Sequence, residues 1–370
     1  MLSTLISRAK NQLEKELPFV LYSKPNTNIL NAIFQSNNAL HEVTDYTEQG
    51  FVFAPFSESR HPVLLKSDEV FQATEEESSH QTINLKQETF KDANEEERYI
   101  NLIEKAISEI RKGNCKKIVL SRSLKIPLTK PIFTVFEELL YTYSKAFCYL
   151  WYHPKIGFWL GATPEILLKT SGLKFTTMSL AGTQNQQAGV EHPKWSYKEL
   201  EEQQLVTDYI AEVLTNRAEE LHIDDVETIK AGHLWHLRSK ITGKFTKGML
   251  KDLVMAIHPT PAVCGLPLKD AKRFILENES YQRTYYTGFL GELNFKEERS
   301  RNRNRRNQEN SAYRSVVTTS ELFVNLRCMQ KVNDSVIIYI GGGITASSNP
   351  QKEWLETESK AQTMLRLLAT

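Results

Sequence analysis

Apolar residues recur at helical spacing in some stretches of the chain and at strand-like spacing in others. Helical spacing covers 95–112, where Gly113 ends it, and about 25 residues after Pro193. Short apolar runs predict strands at 19–22, 50–53, 62–65, 117–122, 146–152, 156–161, 174–180, 233–237 and 321–329. The chain is therefore expected to contain both helices and strands over most of its length.

One further helix is predicted near the C-terminus, with Asn349 as its N-cap and a proline at its first position. Glu353, Glu356 and Lys360 recur there at i, i+3 and i+7, and the same stripe continues with apolar residues. If the stripe faces inward, its charges must be matched by a metal, by a ligand or by one another. The alternative is a helix rotated so that the stripe faces water.

A second Glu-x-x-Glu pattern lies on the helix after Pro193. Glu199 and Glu202 share a face there with apolar residues, namely Val206, Tyr209, Ile210 and Val213. Four carboxylates from two helices suit a hard cation with oxygen ligands. Mg²⁺ takes one or two carboxylates directly and keeps several waters, so we expect an inner and an outer pair.

Two other charged residues lie beside predicted strands. Lys117 shares one face of its strand with Val119 and Ser121, so a charge would enter a β-rich core unless the lysine lies at a strand end and reaches solvent. Glu165 lies between a turn and an apolar strand. A desolvated carboxylate there has a raised pKa and suits a general acid, whereas a turn residue in water does not.

Composition narrows the class of protein. The 370 residues, 40% of them hydrophobic, allow one large or two ordinary domains, and the net charge of +1 gives no indication of a nucleic-acid partner. A mean hydropathy of −0.42 and the lack of a long apolar run predict no membrane span and no signal peptide. Four scattered cysteines predict reduced thiols in a cytoplasmic protein.

An arginine run interrupts the pattern near the C-terminal third of the chain. It consists of Arg299, Arg301, Arg303, Arg305 and Arg306, within a polar segment at 296–315. We expect a solvated, mobile surface loop there, because no aromatic residue lies within the run and the chain is neutral overall. Nucleic-acid binding is the alternative.

Several short motifs follow one another in a fixed order. They are Lys117–Arg122 (KIVLSR), Gly161–Glu165 (GATPE), Leu180–Thr183 (LAGT), His258–Gly265 (HPTPAVCG), Gly341–Ile344 (GGGI) and Glu353–Lys360 (EWLETESK). This ordered set resembles the chorismate-utilising enzymes, and among them the isochorismate synthases. The resemblance covers 95–370. Two departures are Gln184, where the family often has arginine, and the length of the 296–315 segment.

The resemblance implies a fold for the whole chain. It is a single large α+β domain over 1–370, with antiparallel β-sheets packed face to face, helices outside and the active site in the cleft between the sheets. Residues 1–94 would complete this fold, and 95–370 would form the catalytic region.

The resemblance also implies roles for individual residues. Lys117 would be the general base that activates water, and Glu165 the general acid that protonates the departing C4 hydroxyl. Because a base must be neutral, we expect Lys117 to lie away from the glutamate cluster and across the substrate ring from Glu165. Glu202 and Glu356 would be the inner Mg²⁺ ligands, with Glu199 and Glu353 behind them holding metal-bound waters. Substrate contacts are expected from Gly182, Thr183, His236, Tyr286, Arg327, Gly341, Gly343 and Lys360, with Arg327 and Tyr286 on the enolpyruvyl carboxylate.

The implied activity is the Mg²⁺-dependent conversion of chorismate to isochorismate. The alternative is salicylate synthase, which follows the same step with pyruvate elimination. No glutaminase subunit is expected, because the ammonia-using relatives lack the lysine present here as Lys117. The resemblance further implies a monomer and a role in menaquinone or siderophore biosynthesis. Menaquinone is favoured because no carrier-protein domain is attached.

Overall fold

The computed structural model describes residues 2–74, 93–185, 193–231, 234–300 and 314–369. The described helices are α1 (Leu2–Glu14), α2 (Ala93–Arg111), α3 (Ile132–Thr142), α4 (Tyr197–Thr215), α5 (Leu250–Ile257), α6 (Leu268–Asn278) and α7 (Pro350–Leu368). The amphipathic patterns of α2, α4 and α7 are confirmed, although α4 has 19 residues and is shorter than expected.

The described strands alternate with these helices along the chain. They are β1 (Phe19–Ser23), β2 (Ile29–Phe34), β3 (His41–Glu42), β4 (Gly50–Ala54), β5 (Val63–Lys66), β6 (Glu69–Thr74), β7 (Lys117–Pro127), β8 (Phe147–His153), β9 (Gly157–Thr163), β10 (Ile166–Ser171), β11 (Lys174–Asn185), β12 (Glu219–Ile223), β13 (Glu227–Ala231), β14 (Leu234–Lys244), β15 (Gly265–Leu266), β16 (Phe289–Ser300), β17 (Arg314–Val324), β18 (Cys328–Val332) and β19 (Ser335–Ile344).

These strands form two antiparallel sheets. The nine-stranded sheet has the order β15-β7-β19-β18-β9-β8-β1-β2-β6. The ten-stranded sheet has the order β12-β14-β11-β10-β17-β16-β4-β5-β3, with β13 also paired to β14. The first 74 residues thus contribute strands to both sheets.

Aromatic side chains pack between the two sheets. Phe147 on β8 stacks on Phe323 of β17 with ring centroids 4.2 Å apart, and Phe53 on β4 lies 4.8 Å from Trp151 of β8. Such large apolar side chains dominate the energetics of a core. The sheets therefore pack face to face, as the resemblance implied.

Helices cover the outer faces. α1, α3 and α7 bury apolar residues against the nine-stranded sheet, and α4 and α5 do so against the ten-stranded sheet. On α4, Val206, Ile210 and Leu214 are fully buried at helical spacing. The α+β arrangement with helices outside is confirmed.

The predicted strand at 321–329 is wrong in one respect. β17 ends at Val324 in the ten-stranded sheet, and β18 begins at Cys328 in the nine-stranded sheet. Arg327 lies in the crossing between the sheets, with φ of 47°. A continuous apolar pattern cannot show that a chain changes sheets, because both strands bury the same kinds of side chain.

The arginine run lies mostly outside the described residues, which omit 301–313. The ends of the predicted 296–315 loop are strand, because β16 continues to Ser300 and β17 begins at Arg314. All four cysteines are buried free thiols. No helix in the described ranges is both long and apolar enough to cross a bilayer.

Candidate active site

A cleft with a cavity volume of about 110 Å³, open to solvent, lies where the two sheets meet α4 and α7. Residues from β7, β11, β14 and β19 form its walls, together with the connection between β9 and β10 and the crossing before β18. Ten predicted site residues line it: Glu165, Gly182, Glu202, His236, Tyr286, Arg327, Gly341, Gly343, Glu356 and Lys360.

Helix α7 turns its charged stripe toward the protein. Asn349 caps the helix by accepting a hydrogen bond from the Lys352 backbone, and Glu353 is only 3% exposed. Lys360 Nζ lies 2.7 Å from Glu356 Oε1 and donates to the Gly341 carbonyl at 3.1 Å. The stripe therefore faces inward, and the alternative of a water-facing stripe is wrong.

Glu202 on α4 pairs with Lys117 at the start of β7. Lys117 Nζ lies 2.7 Å from Glu202 Oε1, and the lysine side chain is fully buried. We expected Lys117 to lie away from the glutamates, and this was wrong. A fully buried ammonium needs a counter-charge, and α4 supplies it directly.

Glu199, one turn before Glu202, lies in the first turn of α4. Its Oε2 accepts from the Ser196 backbone at 2.7 Å and also from the Ser196 hydroxyl, which closes a capping box. Gln184 Nε2 donates to its other oxygen at 3.1 Å. Glu199 does not line the cleft, and its carboxylate instead satisfies the first turn of α4. Gln184, the departure from the family pattern, supports that cap.

Glu165 lies in the connection between β9 and β10 and is 3% exposed. Its backbone carbonyl accepts from Val324, so the connection is attached to the end of β17. Burial raises the pKa of the Glu165 carboxyl to about 8, against the opposing charges of Lys117 and Arg327. Glu165 is thus mostly protonated at neutral pH, so the expectation of a desolvated carboxyl with a raised pKa is confirmed, while its role as general acid stays a prediction.

A hydrogen-bonded chain orients Arg327. His236 Nδ1 lies 3.0 Å from the Gly182 carbonyl, and its Nε2 lies 2.6 Å from Arg327 Nη2. A carbonyl only accepts and a guanidinium only donates, so the imidazole carries its proton on Nδ1 and is neutral. Burial lowers the pKa of Arg327 to about 10, so the guanidinium stays cationic at neutral pH. A fixed cation therefore faces the cleft.

Two glycines of β19 allow close approaches that a side chain would block. A Cβ at Gly343 would lie 2.6 Å from Glu202 Oε1 and 2.9 Å from Lys117 Cε. A Cβ at Gly341 would lie 2.8 Å from the Tyr286 hydroxyl. The Gly-Gly-Gly run therefore brings the lysine pair and the tyrosine against the backbone of β19.

Two protein-family models match this chain. Residues 52–299 match the family model described as chorismate binding enzyme, and 313–366 match a second model of the same description. The first match covers more than half of the chain. The chain belongs to the chorismate-binding enzyme family.

Two relatives of this chorismate-binding enzyme are named isochorismate synthases. DhbC of Bacillus subtilis (strain 168) is 30% identical over 295 residues, which is 74% of this chain and 68% of that protein. MenF of Pasteurella multocida (strain Pm70) is 28% identical over 308 residues, which is 80% of this chain and 66% of that protein. The matches thus span about two thirds of each relative.

A solved structure shares the fold. The Bacillus anthracis protein named as a 2,3-dihydroxybenzoate-specific isochorismate synthase, DhbC, superposes with a TM-score of 0.76 at 22% identity. The superposition covers 97% of this chain and 99% of the other. This chain therefore has the same α+β fold as that solved structure.

Four predicted site residues do not line the cleft of the chorismate-binding enzyme. Lys117 lies behind Glu202, Glu353 is buried beside Glu356, and Glu199 caps α4. The backbone of Thr183 pairs with His236 across β11 and β14, but its side chain lies outside what the structure describes.

Other cleft residues were not predicted. They are mostly apolar and include Val119, Leu180, Ala262, Val263 and Tyr339. Period two on β7 places Val119 on the face of Lys117, and this signal could have identified it. Ala262 and Val263 belong to the His258–Gly265 motif, to which no residue role was assigned.

The residues present fit a magnesium ion. A Cβ at Gly342 would lie 3.9 Å from an oxygen of Glu353 and 3.9 Å from one of Glu356, and Glu202 meets the next glycine. Glu202 of α4 and Glu356 of α7 both line the cleft beside this glycine run. Within the described ranges no three His, Cys, Asp or Glu residues form a ready-made metal cluster. Mg²⁺ needs only one or two carboxylates and completes its shell with water, so this donor set fits it.

Proposed function

We propose that this enzyme converts chorismate to isochorismate. Water adds at C2 of the ring, the hydroxyl leaves from C4, and the double bonds shift between them. One observation carries the proposal. Glu165, a buried carboxyl, lines the same cleft as Glu202, and Glu202 is paired with the buried Lys117. The two relatives named isochorismate synthases, at 28–30% identity, support it.

Glu165 is suited to protonate the leaving hydroxyl. Its pKa of about 8 keeps the proton on the carboxyl at neutral pH, so a proton is available to the C4 oxygen as negative charge develops there. The C4 oxygen then departs as water, and Glu165 is left as a carboxylate. The cationic Lys117 and Arg327 stabilise that carboxylate.

Lys117 is suited to accept the proton of the attacking water. Lys117, which is paired with Glu202, must first lose its ammonium proton to solvent, because an ammonium cannot act as a base, and solvent returns a proton to Glu165 before the next turnover. It then gains one proton while Glu165 loses one, so water is consumed at C2 and released at C4. The reaction is an isomerisation with no net change in atoms.

Arg327 and Tyr286 are suited to hold a substrate carboxylate. A guanidinium binds a carboxylate through two parallel hydrogen bonds, and His236 fixes the orientation of this one. The Tyr286 hydroxyl lies beside the backbone of Gly341 and reaches the same cleft. Chorismate carries two carboxylates, so a second cationic group is needed.

Glu202 and Glu356 would hold Mg²⁺, and Glu353 would position water behind Glu356. The bound ion would act as a Lewis acid on the ring carboxylate and offset charge that builds on the ring during water addition. Lys360 pairs with Glu356 and keeps that carboxylate directed at the cleft.

The test is product identification. Purified protein is incubated with chorismate and Mg²⁺, and products are separated by chromatography and identified by mass and NMR. Isochorismate without pyruvate is the expected result. Equal amounts of salicylate and pyruvate would instead show a salicylate synthase, and unchanged chorismate would refute both. Complementation of a bacterial strain that lacks isochorismate synthase, scored separately for menaquinone and for catechol siderophore, would assign the pathway.

A further inference from the structure

Arg283 and Glu279 form a buried ion pair to which the proposed chemistry assigns no role. Both side chains are 2% exposed. Arg283 Nη2 lies 2.5 Å from Glu279 Oε1, and Arg283 Nε donates to Oε2 at 2.8 Å. Burying two charges costs desolvation energy, and apolar residues in their place often give equal stability. The pair therefore calls for an explanation beyond stability.

The remaining donors of Arg283 reach three walls of the cleft. Nη2 donates to the Val119 carbonyl at 2.7 Å, and Nη1 donates to the Val263 carbonyl at 2.9 Å. Nη1 also lies 3.4 Å from Thr287 Oγ1. All three contacted residues line the cleft, and they come from β7, from the loop before β15 and from the turn before β16. One planar guanidinium thus joins three separate segments of chain.

Glu279 holds the same edge of β7 two residues further along the strand. Its Oε1 accepts from the Ser121 backbone at 2.7 Å and from the Ser121 hydroxyl at 2.8 Å. Ser121 pairs with Gly341, and Val119 pairs with Gly343. The ion pair therefore attaches β7 where that strand carries Lys117 and borders the glycine run.

The tyrosine of the cleft contacts the same group. The Arg283 guanidinium lies 6.0 Å from the centre of the Tyr286 ring and 4.7 Å from that of Phe56, and the Arg283 carbonyl accepts from the Tyr286 backbone at 2.8 Å. Arg283 thus contacts Tyr286 in two ways, with its guanidinium over the ring and with its carbonyl bonded to the Tyr286 backbone.

We infer that Arg283, held by Glu279, is a positioning residue that sets the spacing between Lys117, Tyr286 and the His258–Gly265 loop. It does not touch the substrate. The inference rests on the proposed function, because it assigns these walls to the reaction of chorismate. Lysine cannot replace the arginine, since one ammonium lacks the planar fork that reaches Glu279 and three wall residues together.

The test compares Arg283→Lys with a matched control. Arg283→Lys keeps the positive charge but removes the planar guanidinium. Glu279→Gln removes the negative charge but keeps one side-chain oxygen that can accept from Arg283. Glu292→Gln is the control, because Glu292 is also a buried carboxylate paired with a cation, Lys24, but does not line the cleft. Thermal midpoints, kcat, KM and chorismate Kd from calorimetry are measured for each at saturating Mg²⁺.

We expect Arg283→Lys to lower kcat/KM roughly 100-fold, with a lower kcat as well as a higher KM, because misplacement by about 1 Å costs on this scale. Glu279→Gln should lower it roughly 10-fold, since one of its two bonds to the arginine survives. The kcat/KM of Glu292→Gln should stay within about 3-fold of wild type, even if its thermal midpoint falls as far as that of Glu279→Gln.

Results that contradict the positioning role differ from results that contradict the proposed function. Wild-type kinetics and Kd in Arg283→Lys, or an equal loss in Glu292→Gln at equal stability, would overturn the positioning role. If Arg283→Lys does not fold, Glu279→Gln decides by the same two criteria. A wild-type protein that binds chorismate without converting it would refute the proposed function, and the Kd comparison would still decide the role of Arg283.

Discussion

Helices α4 and α7 carry the same Glu-x-x-Glu pattern, but the first glutamate of each has a different role. On α4 the N-cap is Ser196 and Glu199 is the third helical residue, so its carboxylate closes a capping box. On α7 the N-cap is Asn349 and Glu353 is the fourth helical residue, where it is buried beside the cleft. A difference of one residue in the helix start separates a carboxylate that caps its helix from one that is buried beside the cleft.

The second glutamates also differ in their partners. Glu202 meets Lys117, which comes from a strand and is fully buried. Glu356 meets Lys360 of its own helix, and that lysine side chain is 21% exposed. Breaking a buried pair leaves an uncompensated charge, whereas water replaces part of an exposed one. The α4 pair should therefore be the more sensitive of the two.

The largest effect is expected from removing the buried lysine. Lys117→Ala should lower kcat roughly 10⁴-fold, because it removes the proposed base and also leaves Glu202 without its cation. Lys360→Ala should lower kcat roughly 10-fold, since the carboxylate it leaves is partly hydrated. Chorismate turnover at saturating Mg²⁺ measures both. A Lys117→Ala rate within a factor of ten of wild type would contradict the assigned base.

Glu165, which lies outside both helices, shows what burial does to a carboxyl that is only 3% exposed. Glu165→Gln should lower kcat roughly 10²–10³-fold, since the amide cannot donate an acidic proton. The wild-type rate should fall as pH rises through about 8, where Glu165 loses its proton, and the variant should lack this decline. Rates between pH 6 and 10 decide the point, and a decline retained in the variant would assign it to another group.

The same carboxyl should lower stability at high pH. Its pKa is raised from 4.5 to about 8, so the folded protein binds this proton more tightly than the unfolded chain does between those values. Its contribution to the free energy of unfolding is therefore lost as pH rises through that window, by roughly 3–5 kcal/mol in the limit. Urea unfolding at pH 6 and pH 9 should show Glu165→Gln gaining stability relative to wild type at the higher pH.

A smaller effect is expected on metal affinity. Glu356→Gln and Glu202→Gln should each raise the Mg²⁺ concentration needed for half-maximal rate by roughly 100-fold, and Glu353→Gln by roughly 10-fold. Magnesium titrations of activity measure all three. An unchanged magnesium requirement in Glu356→Gln would remove that residue from the ligand set.

The smallest effect should come from the cap of α4. Glu199→Ala should leave the magnesium requirement within about 2-fold of wild type, and it should lower the free energy of unfolding by about 1 kcal/mol through loss of the capping box. Ser196→Ala is the matched control, because it removes the same cap from the other side. A tenfold change in the magnesium requirement of Glu199→Ala, with none in Ser196→Ala, would place Glu199 among the proposed metal ligands.

Local pattern was sufficient for much of the fold. Helical spacing located α2, α4 and α7, and apolar runs located β7, β8 and β9, because each element buries one periodic face. The resemblance that the ordered motifs support identified ten residues that line the cleft, six of them within the motifs themselves. The positions of Arg327 and Lys117 were not predictable in this way. Arg327 lies where the chain passes from one sheet to the other, and Lys117 meets a residue 85 positions away in the sequence.

The sequence by itself determined the family, the helix and strand pattern, and the residue types of the site. These depend on periodicity and on short motifs, which are local properties of the chain. Only the tertiary structure decided that Glu202 neutralises Lys117, that Glu199 serves its own helix, and that Arg283 joins three walls of the cleft. Such pairings depend on which distant segments come together, because a buried charge is matched by whatever group the packing places beside it.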